Sequence, residues 1–263
     1  MHGALAASEA KKGTDDMNND SRELQQVQRA AGSARPRADL YLGIHKALRA
    51  LMGDTLVALG RLDCDDELEL AQTTQRVLQV LDFLRSHLKH ENDFIHPALE
   101  ARAAGASGHI ADDHREHVQA IDTLAAATTG VLNAPAADRP HAARDLYHRL
   151  ALFVAHNFEH MHYEETVHNA VLWAHYSDAE LNAVHNALVA SIPPDEMMFA
   201  LRWIVPSLAP AERAGLLGEM RMQAPAPVFG AVMAMVRPHL SERDWVKLTD
   251  SLRLPAEVEA LCA

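Results

Sequence analysis

The sequence predicts an all-α protein: an antiparallel four-helix bundle followed by an extension of short helices. Apolar residues recur at intervals of three and four from Ala38 onward, the period of helices with one buried face. Strand signals are missing, because no alternating β-branched run is bounded by the turn pairs that make hairpins. Four long periodic segments are joined by short connections, which favour antiparallel neighbours.

Residues 1–37 are polar, mixed in charge and without an apolar period, and read as a disordered tail. The bundle is expected over residues 38–176. Its first helix runs from about Asp39 to Leu62, with Tyr41, His45, Leu48 and Met52 on one face. The second runs from about Glu67 to Arg102, with Val77, Val80, Leu84, His87, Glu91, Phe94 and Ala98 down one stripe. Pro97 is expected to kink its last turns, since it cannot donate to the carbonyl four residues back. Gly105 and Gly108 mark the turn that follows. The third helix, about Ile110 to Leu132, aligns Ile110, His114, His117, Ile121 and Leu124. Pro135 and Pro140 punctuate the next connection. The fourth, about Ala142 to Tyr176, aligns Leu146, Leu150, Phe153, His156, His160, Glu164, Val167 and Val171.

Residues 177–263 have a different texture. Ser177-Asp178-Ala179-Glu180 reads as a capping box, and prolines then cut the chain into short helices, with Pro210 and Ser241 as further helix starts. This helical extension either packs on the bundle or forms a small second domain. Six of its residues are methionines, at 197, 198, 220, 222, 233 and 235. Core filling is their default role, and an adaptable surface for a protein partner is the alternative.

The formal net charge is −12, which leaves no excess of Lys and Arg to displace phosphate counterions and argues against a nucleic-acid partner. No apolar stretch approaches the roughly 20 residues of a transmembrane helix, so no membrane partner is expected. The N-terminus lacks the pattern of a secretory signal. With two cysteines, Cys64 and Cys262, a disulfide framework is excluded and a reducing, cytoplasmic compartment is expected. The unusual figure is histidine, at 17 copies.

Those histidines interrupt the apolar stripes in register. His87 precedes Glu91 by four residues on the second helix, and His160 precedes Glu164 by four on the fourth. Four residues is about 400° of rotation, so each pair projects from one face on adjacent turns. His45 and His114 add imidazoles from the other two helices. Buried carboxylates facing buried imidazoles are costly unless their charges and lone pairs are compensated, and a pair of metal ions would do that. Iron is favoured over zinc because the donors are nitrogen and oxygen without sulfur, and because they suffice for two high-coordinate ions. Manganese also ranks below iron.

The order His45, then His87-x3-Glu91, then His114, then His160-x3-Glu164 resembles the hemerythrin-like (HHE) cation-binding family. The segments IHKALRALM, HLKHENDFIHPAL and HMHYEETV carry the match, across roughly residues 38–176. The resemblance implies a four-helix bundle with a non-haem di-iron centre. It implies Glu91 and Glu164 as bridging carboxylates, and His45, His87, His114 and His160 as terminal ligands. Oxygen carriers of this family place two helix-three histidines at i and i+4, whereas His114 and His117 stand at i and i+3 here. They also carry HxxxxD on helix four, where this chain has Glu164 followed by Glu165.

His117, His156 and Glu165 are further candidates, as extra ligands or as partners that orient a ligand. Tyr41, one turn before His45, either lines the pocket or packs in the core. Other histidines, among them His90, His96, His162 and His168, read as solvated or structural. Competing motifs fail: a zincin would need histidine at position 94, where Phe94 stands, and there is no phosphate loop or nucleophile elbow. The expected role is non-enzymatic, binding iron and through it sensing or handling dioxygen, nitric oxide or redox state. The enzymatic rival is a di-iron oxidase, peroxidase or oxygenase. The third is a regulatory module whose C-terminal helices engage a protein partner according to iron occupancy.

Overall fold

The computed structural model of the chain describes residues 37–254, so the tail reading falls almost wholly outside the described residues, as does Cys262. Among the described residues every regular element is helical. Helix α1 spans Leu42–Gly60, and α2 spans Glu67–His90 and passes through a π-helical turn, Glu91–Ile95, into α3, His96–Arg102. Helix α4 spans Gly108–Asn133. Helix α5, Arg139–Tyr163, passes through a second π turn, Glu164–His168, into α6, Asn169–His175. The extension contributes α7 (Asp178–Ser191), α8 (Pro194–Ser207), α9 (Pro210–Gln223), α10 (Ala226–Val236) and α11 (Glu242–Leu252).

Helix α1 packs on α2 and α5, and α4 packs on the same two, so the four long helices close a ring around one core. Leu48, Leu51 and Met52 meet Val77, Leu84, Ile121, Leu124, Leu150 and Phe153 there. Each such side chain contributes roughly 1.5–3 kcal/mol on burial. The amphipathic stripes explain the assembly: Tyr41, His45, Leu48 and Met52 are all buried on α1, as α-periodicity expects. Asp66 caps α2 by accepting from the backbone of Leu68 and Glu69. Gly105 supplies the one positive-φ glycine among the described residues, at 86°, in the turn before α4.

The stripes break at the π turns. On α2 the expected inner residues after Glu91 are Phe94 and Ala98, but the buried ones are Ile95, His96 and Leu99. On α5 the expected Val167 and Val171 are only half-buried, and His168 and Leu172 take the inner face. The cause is the backbone: His96 N–H donates to Glu91 O, and Asn169 N–H donates to Glu164 O, each five residues back. One additional residue per turn moves the inner face forward by one position. Pro97 is not the origin, since the distortion precedes it and recurs on α5 with no proline near.

Ser177 caps α7 in the predicted box, its side chain accepting from Glu180 N while Glu180 accepts from Ser177 N. Pro210 opens α9 and Ser241 caps α11. The extension has its own core, built from Leu201, Val205, Leu217, Val232, Met233 and Trp245. Met197, Met198, Met220 and Met235 pack against that core, whereas Met222 is exposed. Helix α8 also lies along α1, and Phe199 meets Phe83 edge-on with ring centroids 5.1 Å apart. The extension is therefore seated on the bundle through α8. No described helix is long and apolar enough to cross a membrane.

Candidate metal centre

Four helices deliver imidazoles and carboxylates to one point in the bundle. One donor atom from each of His45, His87, Glu91 and Glu164 lies within 4.8 Å of the others, and the same is true of Glu91, His114, His160 and Glu164. Both carboxylates belong to both groups. His45 Nε2 lies 3.6 Å from Glu91 Oε1 and 3.4 Å from Glu164 Oε2. His87 Nε2 lies 3.3 Å from Glu91 Oε1. On the other side, His114 Nε2 lies 3.4 Å from Glu91 Oε2 and 3.8 Å from Glu164 Oε1. His160 Nε2 lies 3.4 Å from Glu164 Oε2. Local geometry explains the convergence, because His87–Glu91 and His160–Glu164 are i, i+4 pairs on the inner faces of α2 and α5.

All these side chains are buried, and most of their facing atoms lack hydrogen-bond partners. Both oxygens of Glu91 and both of Glu164 are among them, with Nε2 of His45 and His87. Nε2 atoms of His114 and His160 stand 3.2 Å apart, aimed at one another. Among the described residues, only Asn169 Oδ1 and Arg213 Nη1 are buried and unpartnered away from this centre and its neighbouring histidines. Buried polar atoms are ordinarily paired, so a cluster of orphans of this composition fits a cation held between the rings and the carboxylates.

The outward nitrogens of three of the four rings are held. His45 Nδ1 lies 3.1 Å from Glu165 Oε1, and Arg49 donates to both oxygens of the same carboxylate at 2.5 and 3.0 Å. His114 Nδ1 lies 2.8 Å from Asn92 Oδ1, and His160 Nδ1 lies 3.5 Å from Asp113 Oδ2. Such partners fix the tautomer and aim the ring.

The electrostatics divide the groups. Burial would raise the Glu91 pKa, but His87, His114 and His45 outweigh it and hold the carboxyl well below its ordinary range. Burial and then the Glu91 charge push Glu164 up to about 8. Burial opposes the His45 imidazolium, yet its bond to Glu165 and the Glu91 and Glu164 carboxylates win and raise it to about 9. His114 likewise reaches about 9, because Glu164 and Glu91 outweigh burial. Burial lowers His87 and His117 to about 4 and His160 to about 2. Without a cation, these shifts favour protons on His45, His114 and Glu164 and an ionised Glu91.

The family model of the hemerythrin HHE cation-binding domain matches residues 37–172. The chain belongs to this family. No curated protein and no solved structure matches it.

The further candidates around this HHE centre divide. Glu165 is half-buried and touches His45 and Arg49, outside both donor groups. His117 is buried beside the centre, its ring 4.8 Å from that of His160 and edge-on to Phe153, but it joins neither group. His156 departs from the inner-stripe expectation: it is exposed and lines a cleft of about 740 Å³ between α4 and α5, which His117 and His160 also line. Tyr41 is fully buried, packs among Ile95, Leu99, Leu172 and Leu181, and places its hydroxyl 3.1 Å from His168 Nδ1.

Of the two readings given for His96 and His168, burial removes the solvated one: neither is solvated, and both have a buried, unpartnered Nε2. A donor atom from each lies with one from Glu164 in a third group, again within 4.8 Å. In an unbroken α-helix His96 would lie about 140° from the Glu91 face. The π turn returns it to that face, so helical periodicity could not find it. His168 was within reach, four residues after Glu164 and continuing the spacing that begins at His160.

Proposed function

We propose that this HHE domain holds two iron ions, and through them binds or senses dioxygen or another small diatomic ligand. The observation that carries the reading is the pair of buried carboxylates, Glu91 and Glu164, both common to the same two four-residue groups of donors and each with both oxygens unpartnered. His45 and His87 would hold one ion and His114 and His160 the other, with Glu91 and Glu164 between them. The donor set favours iron, being nitrogen and oxygen alone. Bound iron would supply open coordination positions and one-electron redox chemistry. The chain's own residues aim the rings through Glu165, Asn92 and Asp113, and exclude bulk water by burial. Metal analysis of the purified full chain, combined with an optical spectrum in reduced and air-exposed states, tests the reading. Two irons per chain, with a spectrum that responds to air, support it; a chain that retains no iron overturns it.

A second reading rests on a separate observation. A cavity of about 610 Å³ lies between the bundle and the extension, and His87 and Glu91 form part of its wall. Phe83, Ile44, Leu188, Met197, Leu201 and Met220 make much of the rest apolar. That volume accommodates a small organic molecule, which favours a di-iron oxidase or oxygenase acting on an apolar substrate. A substrate screen by oxygen consumption separates the two: uptake beyond the iron equivalents in the presence of an organic compound supports the enzyme.

A further inference from the structure

We propose that His96, His168 and Glu164 form a third cation position, for a first-row divalent ion, beside the two assigned above. It deepens the metal-binding reading, on which it rests through the shared Glu164. The three side chains are 7 %, 0 % and 0 % exposed, and one donor atom of each lies within 4.8 Å of the others. Donors on a single ion at ~2.1 Å are at most ~4.2 Å apart, so the rings need to close by some tenths of an ångström.

The bland explanation is a pair of core histidines packed for their shape. It accounts poorly for the polar atoms. A core imidazole ordinarily finds a partner for each nitrogen, and here both Nε2 atoms are buried without one, on two different helices and beside one carboxylate. The rings are also constrained. His96 stacks on His114 with centroids 4.8 Å apart and planes 20° apart, and meets His168 edge-on at 5.8 Å. The buried Tyr41 hydroxyl holds the far side of His168 through Nδ1. With Nδ1–H donating to the phenol oxygen, Nε2 carries a free lone pair. Tyr41 then orients this ring as Glu165 orients His45.

The backbone supports the same conclusion. Each π turn begins at a carboxylate of the centre; the first brings His96 back to the inner face, and His168 lies on that face at the end of the second. Single π turns inside α-helices are frequent at functional sites. Two imidazoles and one carboxylate leave open positions and suit Fe(II) and its neighbours. Because the Glu164 charge is shared with both other positions, the third ion binds more weakly than the first two.

Anaerobic titration of the metal-free full chain with Co(II), read by equilibrium dialysis with metal analysis and by the visible spectrum, decides the matter. The wild type is expected to take up three ions, the last at least tenfold more weakly. The double variant His96→Phe, His168→Leu is expected to take up two, and Tyr41→Phe to weaken only the third. Circular dichroism checks that each variant folds. If the double variant does not fold, the wild-type count and Tyr41→Phe decide alone. Saturation of the wild type at two ions overturns the third position and leaves the di-iron reading standing. Three ions in both wild type and double variant overturn it as well. A wild type that binds none overturns both.

Discussion

Glu165 Oε1 lies 3.1 Å from His45 Nδ1, on the side of the ring that faces away from Glu91 and Glu164. The carboxylate thereby aims the opposite nitrogen into the centre, and Arg49 holds the carboxylate in turn. Glu165→Ala is expected to lower iron affinity by roughly 10–100-fold, the usual effect of losing a partner that orients a ligand. Competition against a calibrated chelator measures it. Unchanged affinity would show that His45 needs no such support.

Loss of a ligand should be felt in both occupancy and stability, because metal affinity here doubles as folding energy. His87→Ala and His160→Ala are expected to lower iron content and to reduce the gain in melting temperature on loading. At a free-metal level of about a thousand times Kd that gain is ~4 kcal/mol, or on the order of 10 °C for a chain of this size. Chelation of the wild type should reproduce the drop. Full iron retention with unchanged melting in both variants would remove these histidines from the site.

Helix α4 offers two buried histidines, and their positions rank them. His114 Nε2 faces both carboxylates at 3.4 and 3.8 Å, whereas His117 meets the His160 ring and belongs to neither donor group. His114→Ala is therefore expected to cost more iron than His117→Ala, as read by metal analysis of the two purified variants. The reverse order would make His117 the ligand.

The protonation pattern predicts a pH dependence of loading. At pH 7 the metal-free site holds protons on His45 and His114, whose pKa values are raised to about 9, and on Glu164, raised to about 8. Ligation expels them, so affinity should rise with pH up to about 9, with as many as three protons released at neutral pH. Calorimetry in buffers of different ionisation enthalpy counts the protons; a buffer-independent heat would refute the pattern.

Stability of the metal-free chain follows from the same groups. Between pH 6.5 and 9 the native state binds more protons than the unfolded chain, at His45, His114 and Glu164, so stability falls as pH rises. Between about pH 4 and 6.5 the native state binds fewer, because His87, His96, His117 and His168 are held to about 4, so stability falls as pH drops. The optimum is expected near pH 6.5 by urea denaturation at a series of pH values. A plateau from pH 5 to 9 would contradict it.

By itself the sequence determined the helical class, the four amphipathic segments and the six side chains that meet at Glu91 and Glu164. The reason is local: a period of 3.6 residues places i and i+4 on one face, so His87 and Glu91, or His160 and Glu164, are aligned before any tertiary contact forms. Even the Ser177 cap is legible, since the box needs only residues three apart. The inner face just beyond the two carboxylates, His168 apart, was decided by the tertiary structure. The π turns at Glu91 and Glu164 advance the inner face by one residue, replacing Phe94 and Val167 with Ile95, His96 and His168. Nothing in a pattern of period 3.6 marks such a turn, because it departs from that period. The seating of the extension on α1, and the cavity it closes over His87, likewise depend on which apolar faces meet across long stretches of chain.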